Sequence, residues 1–447
     1  MINSMKKDAE KLFMYRCEKS FDKRDCEKYF SELLGVKVKN PVCHEINGVN
    51  SYLLECPNFK NIKREFKLKS KYDFRNRVFA SKLYSQHVSV QRTGNFNNLD
   101  DIFQSSEKKN YSNRDFMDFL LEKYLLSEFG TKLRFFFLNR LEALLCSDRF
   151  KEYTVFPFGS SVNGFGSDNS DLDIVLVPRR LNPMWYNEIP SSFEQLKEMG
   201  ELTDKTWLRD AKRELSTNPS IKNIFRISNA RVPIVKFYSS LTDLQCDLSV
   251  FDNSVTNGVM MSHILFTLTK INPVIREMCT FLRLWMKCRN LTFDSPGPHV
   301  TNFMLLMLIV CFLQQRNPPV LPPIRDLGIT PYSNKVPFTT VQYTATLFEQ
   351  LIPEFFNFLI TFNFNKYGFS PLDGCVRERD VDEVLYIENP LHTHLNICRN
   401  VRGKQWRIFK IEAQYALSKV TLEGNLMSIF NTKIVVKDIL KETENFV

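Results

Sequence analysis

Residues 153–178, YTVFPFGSSVNGFGSDNSDLDIVLVP, constrain this chain more than any other stretch. A strand of aromatic and β-branched residues (153–157) runs into a Gly-Ser-Ser turn that opens a short helix. A loop carrying Gly164 and Gly166 follows, then a second strand (172–177) that is apolar at almost every position. A strand with one wet face alternates polar and apolar residues, so a near-continuous apolar run reads as a central strand buried on both faces.

Asp171 and Asp173 stand where that strand begins. On a strand, residues i and i+2 share a face, roughly 6.6 Å apart along the chain. Leu172 then turns toward the core. Two carboxylates so placed can hold hard cations through oxygen. The pair alone is a weak signal, because charged residues commonly flank strands. The preceding Gly159-Ser160-Ser161 sharpens it. Such a turn feeding a helix presents N–H groups and hydroxyls to an anion, and Gly164 and Gly166 let the chain return close by. The spacing therefore sets a phosphate cradle beside a metal site. Asp247, in LQCDLSV, lies on another apolar strand. A lone carboxylate there is costly unless paired or metal-bound, which makes it the expected third ligand. The plainer alternative is an edge-strand carboxylate facing water.

Composition narrows the class. At about 100–200 residues per domain, 447 residues imply two or three domains. Hydrophobic residues at 43%, with 39 phenylalanines, exclude a disordered chain. A net charge of +10 suits a polyanionic partner such as nucleic acid, and also an ordinary basic enzyme. Eleven cysteines without a CxxC pair argue against a disulfide framework or a zinc ribbon, and fit a reducing compartment. The longest apolar run, residues 303–313, is too short to span a bilayer and reads as a buried helix. The N-terminus lacks the apolar core of a secretory signal, and Asp8 and Glu10 are foreign to a mitochondrial transit peptide.

Periodicity divides the chain as follows. Residues 1–70 form a small α+β unit, with strands expected at 11–17 and 51–56 and a helix at 22–34. It lacks the RNA-binding sheet motif, so interaction or dimerisation is favoured over base stacking. Residues 71–113 read as a linker, polar from 88 on. Residues 114–255 form the catalytic domain, with helices at 116–129 and 133–145 ahead of the Gly-Ser turn. A basic polar segment (179–223) precedes strands at 232–238 and 245–250. Helical patterns dominate residues 256–447.

FGSSVNGFGSDNSDLDIVLV with the later CDL resembles the polymerase-β-type nucleotidyltransferase superfamily, in its poly(A) polymerase and terminal uridylyltransferase branch. FLRLWMK (281–287) resembles that branch's basic helix. Arg283 and Lys287, at i and i+4, share a face and by that match clamp a triphosphate; a solvated basic stripe is the plainer reading. TNF (301–303) resembles the start of the helix whose aromatic stacks on the incoming base, which casts Phe303 in that role beside Asn302. A plain core phenylalanine is the alternative. LYIENPLHTHLNICRNV (385–401) resembles the nucleotide-recognition segment and brings in Asn396. PFGSSVNGFG, SNARVPIVKF, QCDL, PGPHVTNF, LQQRNPPVLP and FRNRVFASKL further resemble the mitochondrial poly(A) polymerases as a family. The implied fold is α+β: a mixed-sheet nucleotidyltransferase palm, a helical poly(A)-polymerase-associated domain and an N-terminal RNA-recognition-like α+β domain. Two positions depart from the family. Leu395 stands where uridine-selective relatives place a histidine, which weakens uracil selection, and His392 and His394 fall out of register. Met261 replaces a ribose-contacting asparagine, with Ser262 as its partial substitute.

The resemblance implies attack of an RNA 3′-hydroxyl on the α-phosphate of ATP, with Asp171, Asp173 and Asp247 binding two Mg²⁺ (or Mn²⁺) ions and Gly159, Ser160 and Ser161 gripping the triphosphate. It further implies single-stranded RNA 3′ ends as substrate, a homodimer, no membrane association and a mitochondrial, otherwise cytoplasmic, location. The alternatives are a terminal uridylyltransferase and a catalytically weak RNA-binding scaffold.

Overall fold

The structure, a computed structural model, describes residues 2–17, 23–46, 49–56, 71–73, 78–80, 111–179, 206–230, 232–250, 253–293, 297–328, 338–379 and 382–430. Most of the expected linker, residues 180–205 of the basic segment and the tail from 431 lie outside the described residues, as does FRNRVFASKL apart from its residues 78–80. In chain order the elements are α1 (Ile2–Ala9), β1 (Leu12–Cys17), α2 (Lys23–Leu34), β2 (Lys39–Ile46), β3 (Val49–Glu55), β4 (Lys71–Asp73) and β5 (Val78–Ala80). Next come α3 (Asn113–Tyr124), α4 (Glu128–Leu145), β6 (Tyr153–Phe158), β7 (Leu172–Pro178), α5 (Thr206–Ser216), β8 (Ile221–Ile227), β9 (Ile234–Ser239) and β10 (Leu244–Val250). The remainder is α6 (Asn253–Ile271), α7 (Val274–Cys288), α8 (Asn302–Gln315), α9 (Leu347–Thr361), β11 (Tyr367–Ser370), β12 (Cys375–Glu378), β13 (Glu388–Asn389), β14 (His392–Asn396) and α10 (Gly403–Glu423). The fold is mixed α+β, in two units: residues 1–95 with 126–262, and 96–125 with 263–447.

The first unit holds two five-stranded sheets. In the N-terminal one, ordered β2-β3-β1-β5-β4, β1 runs antiparallel to β3 and parallel to β5. Phe30 and Leu34 of α2 cover one face, against Phe13, Tyr15, Tyr52 and Leu54. The other face contributes Leu12, Met14 and Leu53 to a core that continues into Phe129, Leu133 and Phe136 of α4. Periodicity missed α1 and β2. Helix α1 (INSMKKDA) is short and polar, and its tertiary contacts hold it. Lys6 Nζ donates to Thr154 Oγ1 and the Val155 carbonyl, both at 2.8 Å, and pairs with Glu142 at 2.8 Å.

The second sheet is ordered β6-β7-β10-β9-β8. Strands β7 and β10 are parallel; the other neighbours are antiparallel. Ile174, Val175, Leu176 and Val177 are fully buried, as the apolar run requires of a central strand. Helix α5 stands inside the stretch read as basic and polar; Trp207, Leu208, Ala211 and Leu215 are its buried face.

The second unit is helical with two small sheets, β11–β12 and β13–β14. Trp285 of α7 lies edge-on to Phe356 of α9 and Phe409 of α10, with ring centroids 5.1 and 5.3 Å away. Residues 304–314 of α8 are buried, as expected for the long apolar run. No helix among the described residues is long and apolar enough to cross a membrane.

Candidate active site

The parallel pairing of β7 with β10 sets Asp173 directly opposite Asp247. Antiparallel pairing extends the same row in both directions: Phe158 faces Asp173 on β6, and Lys236 faces Asp247 on β9. Residues opposite one another in a ladder share a sheet face. Asp247 is therefore on a central strand, not an edge, and two carboxylates far apart in sequence become cross-strand neighbours. Asp171 lies just before β7, two residues from Asp173 and half-exposed.

The turn after β6 packs onto this row. Gly159 has φ of +65°, and a Cβ there would overlap Asp173 Oδ2. Both the left-handed backbone and the close approach to the carboxylate demand glycine. A single 3₁₀ turn, Gly159–Ser161, follows. The Gly159 N–H donates to Ser262 Oγ at 2.7 Å, and the Ser262 hydroxyl donates to the Gly258 carbonyl at 2.7 Å. Ser262 is thus buried and anchors the turn to α6, and this use of its hydroxyl differs from the ribose contact expected of it. Ser161 Oγ is buried and makes no hydrogen bond among the described residues.

Two residues that sequence reasoning missed shape the site. Lys236 Nζ lies 3.6 Å from Asp171 Oδ2 and 3.2 Å from Asp247 Oδ1, so its ammonium bridges the two carboxylates. Its signal was a single cation in the apolar strand VPIVKFY. Arg134, on the buried side of α4, donates from one terminal nitrogen to the carbonyls of Ser167 (3.0 Å), Asp168 (3.1 Å) and Ser170 (2.7 Å). The loop entering Asp171 is thereby fixed from beneath. Its sequence gave no hint, since an arginine among phenylalanines reads equally well as an exposed one.

Charge is unbalanced here. Burial, and then the neighbouring Asp247 and Asp171 carboxylates, push the Asp173 carboxyl up to about 7 against the pull of Lys236. Burial also raises Asp247, again opposed by Lys236. Burial acts to lower Lys236, but the Asp247 and Asp171 carboxylates raise it overall. Among the described residues Lys236 is the cation paired with these acids, bridging Asp171 and Asp247. Such a desolvated excess of carboxylate oxygen suits divalent metal of the hard, oxygen-seeking kind. Among the described residues no group of three or more acidic, histidine or cysteine side chains is gathered closely enough to form a metal site outright, and Lys236 occupies the space between two of the candidate ligands.

The remaining expected residues lie on the second unit. Arg283 and Lys287 are one turn apart on α7; Arg283 is half-buried and Lys287 exposed. Asn302 and Phe303 open α8 after the Thr301 cap, whose hydroxyl accepts from Met304 N. Phe303 is 37% exposed, so it stands outside the apolar packing of that helix. Asn396 ends β14 with its amide fully engaged. It donates to Glu383 Oε2 (2.7 Å) and the Leu385 carbonyl (2.9 Å), and accepts from Ile387 N (3.1 Å) and Cys398 N (2.8 Å). Its contacts fold the recognition segment upon itself.

Residues 114–270 match the family model described as "Poly(A) RNA polymerase, mitochondrial-like, central palm domain". The chain is 27% identical to the mitochondrial poly(A) RNA polymerase of Homo sapiens over 92% of its own length and 74% of that protein's. It is 30% identical to the Mus musculus protein of the same name over 65% of its length, spanning about half (52%) of that relative. A crystal structure of mtPAP in complex with ATPgammaS is similar over 96% of both chains, with 25% identity and a TM-score of 0.74. Residues 114–270 thus carry the palm-domain pattern of the mitochondrial-like poly(A) RNA polymerases, and the chain is similar to mitochondrial poly(A) RNA polymerases in sequence and in fold.

Proposed function

We propose that this chain is a template-independent poly(A) polymerase that transfers AMP from ATP to the 3′-hydroxyl of single-stranded RNA, releasing pyrophosphate. The observation that carries the proposal is the in-register pairing of Asp173 with Asp247, with the Gly159 turn packed against Asp173. Asp171, Asp173 and Asp247 would hold Mg²⁺ (or Mn²⁺), which when bound acidifies the attacking hydroxyl and offsets charge on the pyrophosphate. Asp247 is also placed to accept the hydroxyl proton. The Gly159–Ser161 turn, with the Ser160 and Ser161 hydroxyls, takes the triphosphate, and Ser262 keeps that turn in place. Arg283 and Lys287 bind the far phosphates. Phe303 stacks on adenine, a contact worth about 1–3 kcal/mol, with Asn302 beside it. Asn396 shapes the recognition segment through its internal hydrogen bonds. The reading includes an N-terminal RNA-recognition-like domain (1–70), whose sheet also takes in β4 and β5 from the expected linker (71–113), the catalytic domain (114–255) and a helical nucleotide-recognition domain (256–447). Polyadenylation in mitochondria accords with the names of its relatives, and the reading further includes mRNA processing and a homodimeric state.

The test is extension of labelled single-stranded RNA with each of ATP, UTP, CTP and GTP in Mg²⁺, wild type beside Asp171→Ala. ATP-dependent extension that vanishes in the variant and in EDTA supports the reading. Preference for UTP moves the chain to uridylyl transfer, and no extension with any nucleotide favours a scaffold.

A further inference from the structure

The row across the palm sheet does not stop at Lys236. Strand β8 continues it, and the residue opposite Lys236 is Phe225. The row reads Phe158, Asp173, Asp247, Lys236, Phe225, all on one face. An irregularity in β8 creates this arrangement. Ile221 and Lys222 pair with Ser239 and Tyr238, but one extra residue then enters β8 before Phe225 pairs with Lys236. Asn223, at φ +52°, sits in this bulge. Without the extra residue Ile224, which packs against the core, would stand opposite Lys236. The bulge therefore re-aims the strand so that an aromatic ring emerges on the carboxylate face.

That ring is 61% exposed, and Ile227, two residues on and on the same face, is 40% exposed. The β8 edge also carries exposed Lys222 and Arg226. Two strand spacings separate Phe225 from Asp247, roughly 10 Å across the sheet. An exposed aromatic beside a lysine, with the exposed Lys222 on the same face of its strand, combines the two elements by which proteins hold single strands: a ring for the base and positive charge for the backbone. We propose that Phe225 is a stacking platform for a base at or next to the 3′ end of the RNA acceptor, with Ile227 extending its apolar surface. The inference rests on the nucleotidyl transfer proposed above. An acceptor whose 3′-hydroxyl reaches Asp247 has its last one or two nucleotides within range of this edge. Stacking on a phenylalanine face is tolerant of base identity, as a tailing enzyme requires of its acceptor site.

The test compares wild type, Phe225→Ala and Phe225→Trp, with single-stranded oligoribonucleotides as probe. In extension assays Phe225→Ala raises KM for RNA by about 5- to 100-fold, leaves KM for ATP and the melting temperature unchanged, and Phe225→Trp restores wild-type KM. Titrating Phe225→Trp with the same RNA in EDTA, where no chemistry occurs, quenches its fluorescence relative to wild type. An unchanged KM for RNA in Phe225→Ala, with the wild type active, overturns the proposal. Conversion of a dimer to a monomer by Phe225→Ala, with RNA affinity kept, overturns it in favour of a protein interface. Inactivity of the wild type on every RNA would instead strike the functional reading, and the fluorescence titration then decides the RNA contact by itself.

Discussion

Replacing Asp173 by asparagine is expected to stabilise the metal-free protein while abolishing transfer. Burial first, then Asp247 and Asp171, raise its carboxyl from 3.8 to about 7. A folded-state value above the unfolded one means that the folded protein binds the proton more tightly between the two. Stability is therefore lost as pH rises from about 4 through about 7, and the penalty is complete above that. About 3 pH units at about 1.36 kcal/mol each set a ceiling of about 4 kcal/mol. If half of this is realised, about 2 kcal/mol corresponds to roughly 4–8 °C for a unit of this size. Scanning calorimetry in EDTA at pH 8 should show the asparagine variant melting higher by that amount. The gap should shrink to about half of its size by pH 4.5 and to about a quarter by pH 4. Adding Mg²⁺ at pH 8 should raise the wild type and close the gap, since a ligand of the native state stabilises it. Equal melting temperatures at pH 8, or a difference that does not change with pH, would refute the claim that crowded carboxylates strain this sheet.

Two further substitutions probe the scaffold. Gly159→Ala forces a side chain into a left-handed backbone and into Asp173 Oδ2, at about 1–3 kcal/mol of strain; circular dichroism should show a folded protein whose kcat falls at least about tenfold. Arg134→Met leaves the carbonyls of Ser167, Asp168 and Ser170 without their donor, and should lower the urea-unfolding free energy of the unit by roughly 2–5 kcal/mol.

The palm strands were legible because β7 is buried on both faces, so its sequence needs no partner to be read. The Gly-Ser turn and the Asp-x-Asp pair were legible because they are local in sequence. What escaped was whatever depends on distant residues. Helix α1 has little apolar pattern of its own and is held by Lys6 on Glu142 and Thr154. Strand β2 (KNPVCHEI) is at a sheet edge, with most of its residues at least partly exposed, so its apolar signal is thin. Helix α5 carries its buried stripe inside a long polar run. Strands β11 to β14 have two to five residues, too few to show a period. At the site, Asp171, Asp173 and Asp247 could be picked from the chain, but that Lys236 bridges two of them and that Ser262 engages the Gly159 turn emerges only from the strand register and the position of α6.

The parallel pairing of β7 with β10 has a consequence for how the protein is made. Neighbouring parallel strands cannot be joined by a tight hairpin, and here the chain passes through α5, β8 and β9 between them. Asp173 leaves the ribosome long before Asp247, so a nascent chain carries the acidic pair with no partner. Closing so long a loop ahead of its contacts is entropically slow. Catalytic competence therefore requires β10 to have paired with β7 as well as with β9, and a chain truncated before β10 carries the Gly-Ser turn and the acidic pair without the third carboxylate.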